Sequence, residues 1–168
     1  MSSSTELSEL FHRDLTRLMQ EIEAFPGDSM VWATLPGVTN SAGNLTLHLE
    51  GNLREYIGRQ MGAVAYQRDR PREFAPRDVS RAELRQRIAE VRDLVCRVVG
   101  SMTAEQIQAP YPEIVIGVPT TNGELLAALY GHLSYHMGQI DALRRILTQG
   151  TAVDFAGLAT ARAAIAAA

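Results

Sequence analysis

Apolar residues recur at helical spacing through most of this chain. Leu7, Phe11, Leu18, Ile22 and Phe25 fall at intervals of three, four and seven, which predicts a helix from about Ser4 to Phe25. Pro26-Gly27 ends it. A loop follows with Trp32 and a second turn at Pro36-Gly37. The stripe Leu45, Leu49, Leu53, Tyr56 then predicts a second helix from about Ser41 to Tyr66, with His48 and Asn52 along the stripe's edge. QRDRPREFAPRD combines prolines with dense charge and reads as a loop. In the third helix Ser80 and Glu83 form an S-x-x-E capping box, and Val79 can staple onto Leu84. Leu84, Ile88, Val91, Val95 and Val98 make its apolar face, and Gly100 stops it. From Ser101 to Thr120 the pattern gives one helical turn near Ala104. A β-branched stretch over Tyr111–Gly117 follows, with no evident strand partner. A second capping box, Thr121 to Glu124, opens a fourth long helix that reaches Gln149, and Gly150 terminates it.

Four long helices with one apolar stripe each bury those stripes best against one another. The expected fold is therefore all-α, a four-helix bundle over residues 1–150. The alanine-rich tail, 151–168, is expected to add a short fifth helix outside it. The long loops after the second and third helices permit crossover connections as well as a simple up-down order.

Composition narrows the partners. The 168 residues make one domain by size, and 46% apolar with 21% charged content is ordinary for a soluble protein. A net charge of −3 gives no reason to expect nucleic acid or a membrane surface as partner. The polar, amphipathic start lacks a signal peptide's basic and apolar segments, and no apolar run approaches the roughly 18 residues that would span a bilayer. The single Cys96 excludes an intramolecular disulfide and a multi-cysteine zinc site, and is compatible with a cytoplasmic protein. Apolar neighbours make it a small core residue rather than a nucleophile.

The chemistry lies in the histidines. His132 and His136 are one turn apart on the fourth helix, on the face shared by Leu125, Leu129, Ile140, Leu143 and Leu147. Two imidazoles on an apolar face are either core residues satisfied by a carbonyl or hydroxyl, or two ligands of one divalent metal. His48 is the natural third ligand, since Glu50 and Asp141 fall off the relevant faces. Three histidines and an open position follow the logic of a catalytic metal site. His12 reads as a surface or edge residue. The sequence HLSYH is not the zinc-protease H-E-x-x-H, because Leu133 stands where that motif has its general base. Tyr135 points to another face and reads as a packing or dimer residue.

Taken together, NLTLHLEGNLREYI, the RDRPREF loop, the capped helix at VSRAEL and TTNGELLAALYGHLSYHMGQIDALRRIL resemble the DinB-like superfamily, in particular its DinB/YfiT-like metalloenzymes. The likeness runs from about residue 5 to residue 149. It implies a four-helix bundle and a divalent metal held by His48, His132 and His136. Zinc or nickel is expected first, with iron and manganese as alternatives. It also implies a homodimer and a small-molecule substrate. Several relatives transfer low-molecular-weight thiols of bacteria, others are described as metal-dependent hydrolases, and others have no assigned activity. A metal-bound thiol or water is then the expected nucleophile, with a non-catalytic metal- or ligand-binding module as the rival. Asn44 and Asn52, one turn before and after His48, are candidates to fix its ring or touch substrate, or else plain packing and capping groups. Arg54, Arg68, Arg70 and Arg72 offer guanidinium forks for a carboxylate, against the alternative of a solvated loop.

Overall fold

A computed structural model describes residues 3–75, 79–153 and 157–167. The parts of the predicted loop at 76–78 and of the tail at 154–156 and 168 lie outside them. Four long helices carry the fold: α1 (Ser3–Glu23), α3 (Ala42–Leu53), α5 (Arg81–Gly100) and α7 (Asn122–Thr148). Short helices α2 (Asp28–Val31), α4 (Arg70–Phe74) and α6 (Ala104–Gln108) lie in the connections, and α8 (Leu158–Ala166) follows the bundle. Among the described residues the β-branched stretch before α7 forms no strand. One isolated antiparallel bridge, Pro110 to Thr121, closes the loop that contains it.

The helix starts obey their capping residues. Ser41, Ser80, Thr103 and Thr121 each accept from the backbone N–H three residues on. The box at Thr121 is reciprocal, and so is one at Ser41–Asn44 that the sequence reading did not anticipate. At Ser80 the box is half made: the serine accepts from Glu83 N, and Glu83 instead lies 3.6 Å from Arg87.

Cross-helix contacts fix the directions. Ser8 pairs with Cys96 and Glu23 with Arg85, so α1 and α5 are antiparallel. Arg13 meets Tyr130 and Glu21 meets Arg144, so α1 and α7 are parallel. Glu50 meets Arg87 and Arg54 meets Glu90, so α3 and α5 are parallel. The order is up-down-down-up, with α1 and α3 each packed between α5 and α7. The core is continuous, from Phe11, Leu15 and Leu18 through Leu49, Leu53 and Ile88 to Leu125, Leu126 and Leu133. Because α7 meets both α1 and α3, it buries a second face through Leu126, Leu133 and Met137, wider than the single stripe expected.

Parallel α3 and α5 need a connection that runs the length of the bundle, and this corrects two expectations. The second helix does not reach Tyr66. After Leu53 it loosens into a π-helical turn, Arg54–Arg59, and Ala63 in the left-handed region (φ 51°) closes it. The chain then returns along α3, and the stretch expected to be loop contains α4, with Asp69 as N-cap, Pro71 in its first turn and Glu73 buried. Beyond the bundle, α8 packs on α1, where Arg162 pairs with Glu9 at 2.9 Å. No helix among the described residues is long and apolar enough to cross a membrane.

Candidate metal centre

Antiparallel α3 and α7 bring His48 against His132 and His136. The Nε2 of His132 lies 3.2 Å from that of His48 and 3.1 Å from that of His136. One nitrogen from each of the three rings falls within 4.8 Å of the others. The rings stand nearly perpendicular, at 76°, 89° and 88°, so they converge edge-on instead of stacking. His48 is buried, whereas His132 and His136 are half-buried. The centre therefore sits at the edge of the core and not inside it, as the apolar stripe had suggested.

Two of the rings are oriented from behind. His48 Nδ1 lies 2.9 Å from Glu73 Oε2. Arg68 grips the same carboxylate, Nε to Oε1 at 2.6 Å and Nη2 to Oε2 at 2.9 Å. Burial alone would raise the Glu73 carboxyl, but the bonds from His48 and Arg68 and the Arg68 charge outweigh it and hold it below the ordinary range. An ionised carboxylate only accepts, so His48 Nδ1 donates and its Nε2 keeps a bare lone pair. His136 Nδ1 donates likewise to Gln139 Oε1 at 2.6 Å, which bares its Nε2. Phe74 backs the His48 ring, centroids 5.0 Å apart.

The donor set fits a divalent metal. Burial first, then the charges of His136, His48 and Arg68, push His132 down to about 4, so it is neutral at pH 7. Its Nδ1 is buried without a partner. A proton on His132 Nε2 could satisfy one facing lone pair but not both. A cation satisfies all three. Two nitrogens bound to one zinc ion at about 2.0–2.1 Å stand roughly 3 Å apart, which matches the separations to His132. The carboxylate behind His48 is the partner that metal-bound imidazoles usually have.

The remaining candidates divide. Asn44 does not touch the His48 ring. Its Nδ2 donates to Glu73 O at 3.1 Å and Ala75 O at 3.2 Å, so it anchors the segment that carries Glu73. Asn52 faces a cavity of about 380 Å³ also lined by His48, His132, Tyr56, Arg68 and Arg70. A larger groove of about 410 Å³ lies beyond Gln139, but none of the three histidines lines it. Arg54 is tied to Glu50 and Glu90, and Arg72 is a solvated residue of α4. Glu50 and Asp141 are engaged by arginines, away from the imidazoles. Tyr135 is 64% exposed and approaches His136 only from outside, ring to ring at 5.1 Å. His12 faces Arg92 and Asp93, apart from the centre, and Cys96 is pushed up to about 11 by burial. Glu73 and Gln139 were not assigned roles at the centre from the sequence, and Arg68, read there as a fork for a ligand carboxylate, grips the protein's own Glu73 instead. Gly51, unusual inside a helix, is the one local signal: a Cβ there would collide with the Glu73 carboxylate.

An up-down-down-up bundle with three imidazoles on facing helices defines a class of helical proteins with a histidine-rich centre. The model of the DinB superfamily matches residues 10–140, and the chain belongs to that family. A crystal structure of a DinB-like protein from Bacillus cereus ATCC 10987 has the same fold. Its TM-score is 0.65 at 13% identity, over 84% of this chain and 90% of that one. No curated protein matches this sequence.

Proposed function

We propose that this protein is a divalent-metal-dependent enzyme that transfers a low-molecular-weight thiol to a small electrophile. The observation that carries the reading is the set of three Nε2 atoms facing one point beside an open cavity. His48, His132 and His136 would hold the metal, with zinc or nickel preferred by nitrogen ligands. A bound divalent cation supplies charge that favours thiolate over thiol at neutral pH.

The protein's own residues do the rest. Glu73 and Gln139 fix two imidazoles with their lone pairs turned inward. Val115, Ile116, Leu125 and Leu129 give the cavity an apolar wall that limits water around the reacting sulfur. In the reaction the thiol proton leaves to solvent and the sulfur forms a new C–S bond. The leaving group departs from that carbon with the bonding pair. Among the described residues no carboxylate lines the cavity, and Glu73 is spoken for by His48 and Arg68. A ready general base for water is thus missing from the lining, which favours thiol transfer over hydrolysis.

Protein purified without an affinity tag is expected to carry near-stoichiometric zinc or nickel by elemental analysis. It should release chloride from a chlorinated nitroaromatic with at least one of a panel of small thiols. The His48→Ala/His132→Ala/His136→Ala variant should do neither. A chain that takes up none of zinc, nickel, iron or manganese overturns the reading. Metal-loaded protein that turns over no thiol reduces it to a binding module.

A further inference from the structure

We propose that the groove beyond Gln139 is a second ligand site, taking a neutral molecule with an apolar body and a carbonyl oxygen. It goes beyond the thiol-transfer reading and does not rest on it, since the groove is built without the three histidines.

Its walls come from fixed elements. Ala142, Leu143 and Ile146 follow Gln139 at three, four and seven positions, so the four share one face of α7. The opposite lip is the turn before α3. Val38 N–H donates to Leu35 O at 2.9 Å, and Gly37 takes the left-handed φ of 81° that a type II turn requires. Leu45 and Leu143 form a buried floor, while Ile146 and Val38, 62% and 39% exposed, hold apolar side chains at the rim. At about 410 Å³ the space suits a small molecule.

The lining sets the ligand's chemistry. Among the described residues no charged side chain lines the groove, so an ion entering it would lose hydration with nothing to replace it. The donor is Gln139. Its Oε1 accepts from His136 Nδ1–H at 2.6 Å, which fixes the carboxamide and leaves Nε2 without a hydrogen bond among the described residues. The side chain is half-buried and lines the groove, so this amide is a preorganised donor beside apolar walls. A carbonyl oxygen is its complement. A second copy of this chain would supply that oxygen poorly. Its surface is mostly helical, and helix carbonyls are bonded within the helix except in the last turn.

The probe is acetophenone, a phenyl ring with one carbonyl and no charge, titrated into the full chain and followed by nitrogen–proton correlation NMR. The Gln139 Nε2–H resonances should shift and saturate. The same shift is expected with chelator as with added zinc, so this site and the metal reading fail separately. Benzoate, of similar size but charged, should give no saturable shift. Gln139→Glu keeps an oxygen for His136 Nδ1–H and removes the donor. It should weaken acetophenone about tenfold, read at the Ile146 backbone amide. Ala142→Phe fills the groove from an exposed helical position and should abolish binding without lowering the melting temperature. The proposal is overturned by Gln139 resonances that stay unmoved, by benzoate binding as tightly as acetophenone, or by an Ala142→Phe protein that binds like the parent. A parent dimer that Ala142→Phe dissociates in sedimentation, with no acetophenone shift in the parent, would assign the groove to a second copy and overturn it too.

Discussion

Glu73 accepts a hydrogen bond from His48 Nδ1–H while Arg68 holds the carboxylate from its other side. The pair sets the tautomer and direction of one ligand, so the carboxylate charge should matter to metal affinity. Glu73→Gln keeps the shape and loses the charge. It is expected to weaken zinc binding by about 10–100-fold, read by competition with a chromophoric chelator. Unchanged affinity would show that His48 needs no partner. A second expectation concerns protons. Burial, with neighbouring charge, lowers His132 to about 4, and burial lowers His136 despite the bond to Gln139. The unfolded chain, with histidines near 6.5, binds protons that the fold refuses. Metal-free protein should therefore lose stability as pH falls from 6.5 towards 4, and owe no pH dependence to these groups above that window. The gap in urea midpoint between the parent and His132→Gln should change across it; a constant gap contradicts the assignment. The three histidines were legible because a spacing of four on one helix, and a stripe edge on another, constrain direction. Glu73 and Arg68 were not, because nothing local in RDRPREF tells a solvated charge from one turned into the bundle.

Helix α3 and the segment returning along it fit through one missing side chain. Gly51 has no Cβ, and the Glu73 carboxylate occupies that space. In an exposed helix Gly→Ala stabilises by about 0.5–1 kcal/mol. Here the new methyl would drive the carboxylate off His48 and Arg68. Gly51→Ala is expected to weaken zinc binding as Glu73→Gln does, although alanine is the better helix former. An unaltered zinc affinity would mean that Glu73 re-forms its bonds around the methyl. Elements also lock through buried charge. Glu21 on α1 and Arg144 on α7 meet at 2.6 Å, both nearly inaccessible. Glu21→Ala leaves the buried guanidinium only Asp141 and the Thr151 carbonyl, so it should destabilise in urea unfolding by less than the about 3–5 kcal/mol of a fully orphaned charge, while Glu21→Leu with Arg144→Met should cost less still. A double variant as damaged as the single one would point to lost packing instead. Helix starts were readable from Ser80 and Thr121, whose caps are local chemistry. The end of α3 was not: the apolar pattern runs on to Tyr56, and the π turn answers to packing, where Gly58 and Gly62 lie against Leu94 and Val98 of α5.

At the scale of the molecule, four apolar stripes specify a bundle but not its directions. The up-down-down-up order depends on the connection between α3 and α5 running back along the bundle, and charge-rich loops leave that open. The order has a consequence for stability, because it sets α3 and α7 side by side with His48 on one and His132 and His136 on the other. A metal bound to all three cross-links segments more than eighty positions apart in sequence, a geometry the unfolded chain lacks. Its binding energy therefore adds to folding. At free zinc one hundred times its dissociation constant the gain is about 2.7 kcal/mol. For a domain of this size that raises the melting temperature by roughly 5–10 °C. The shift should vanish in His48→Ala, which alters α3, as fully as in His132→Ala, which alters α7. His12→Ala should keep it, since His12 faces Arg92 and Asp93 instead of the centre. Scanning calorimetry with zinc and with chelator separates the cases. A shift that survives loss of His48 would place the metal on α7 alone. The two helices would then converge for packing, and the centre would not be the tie between them.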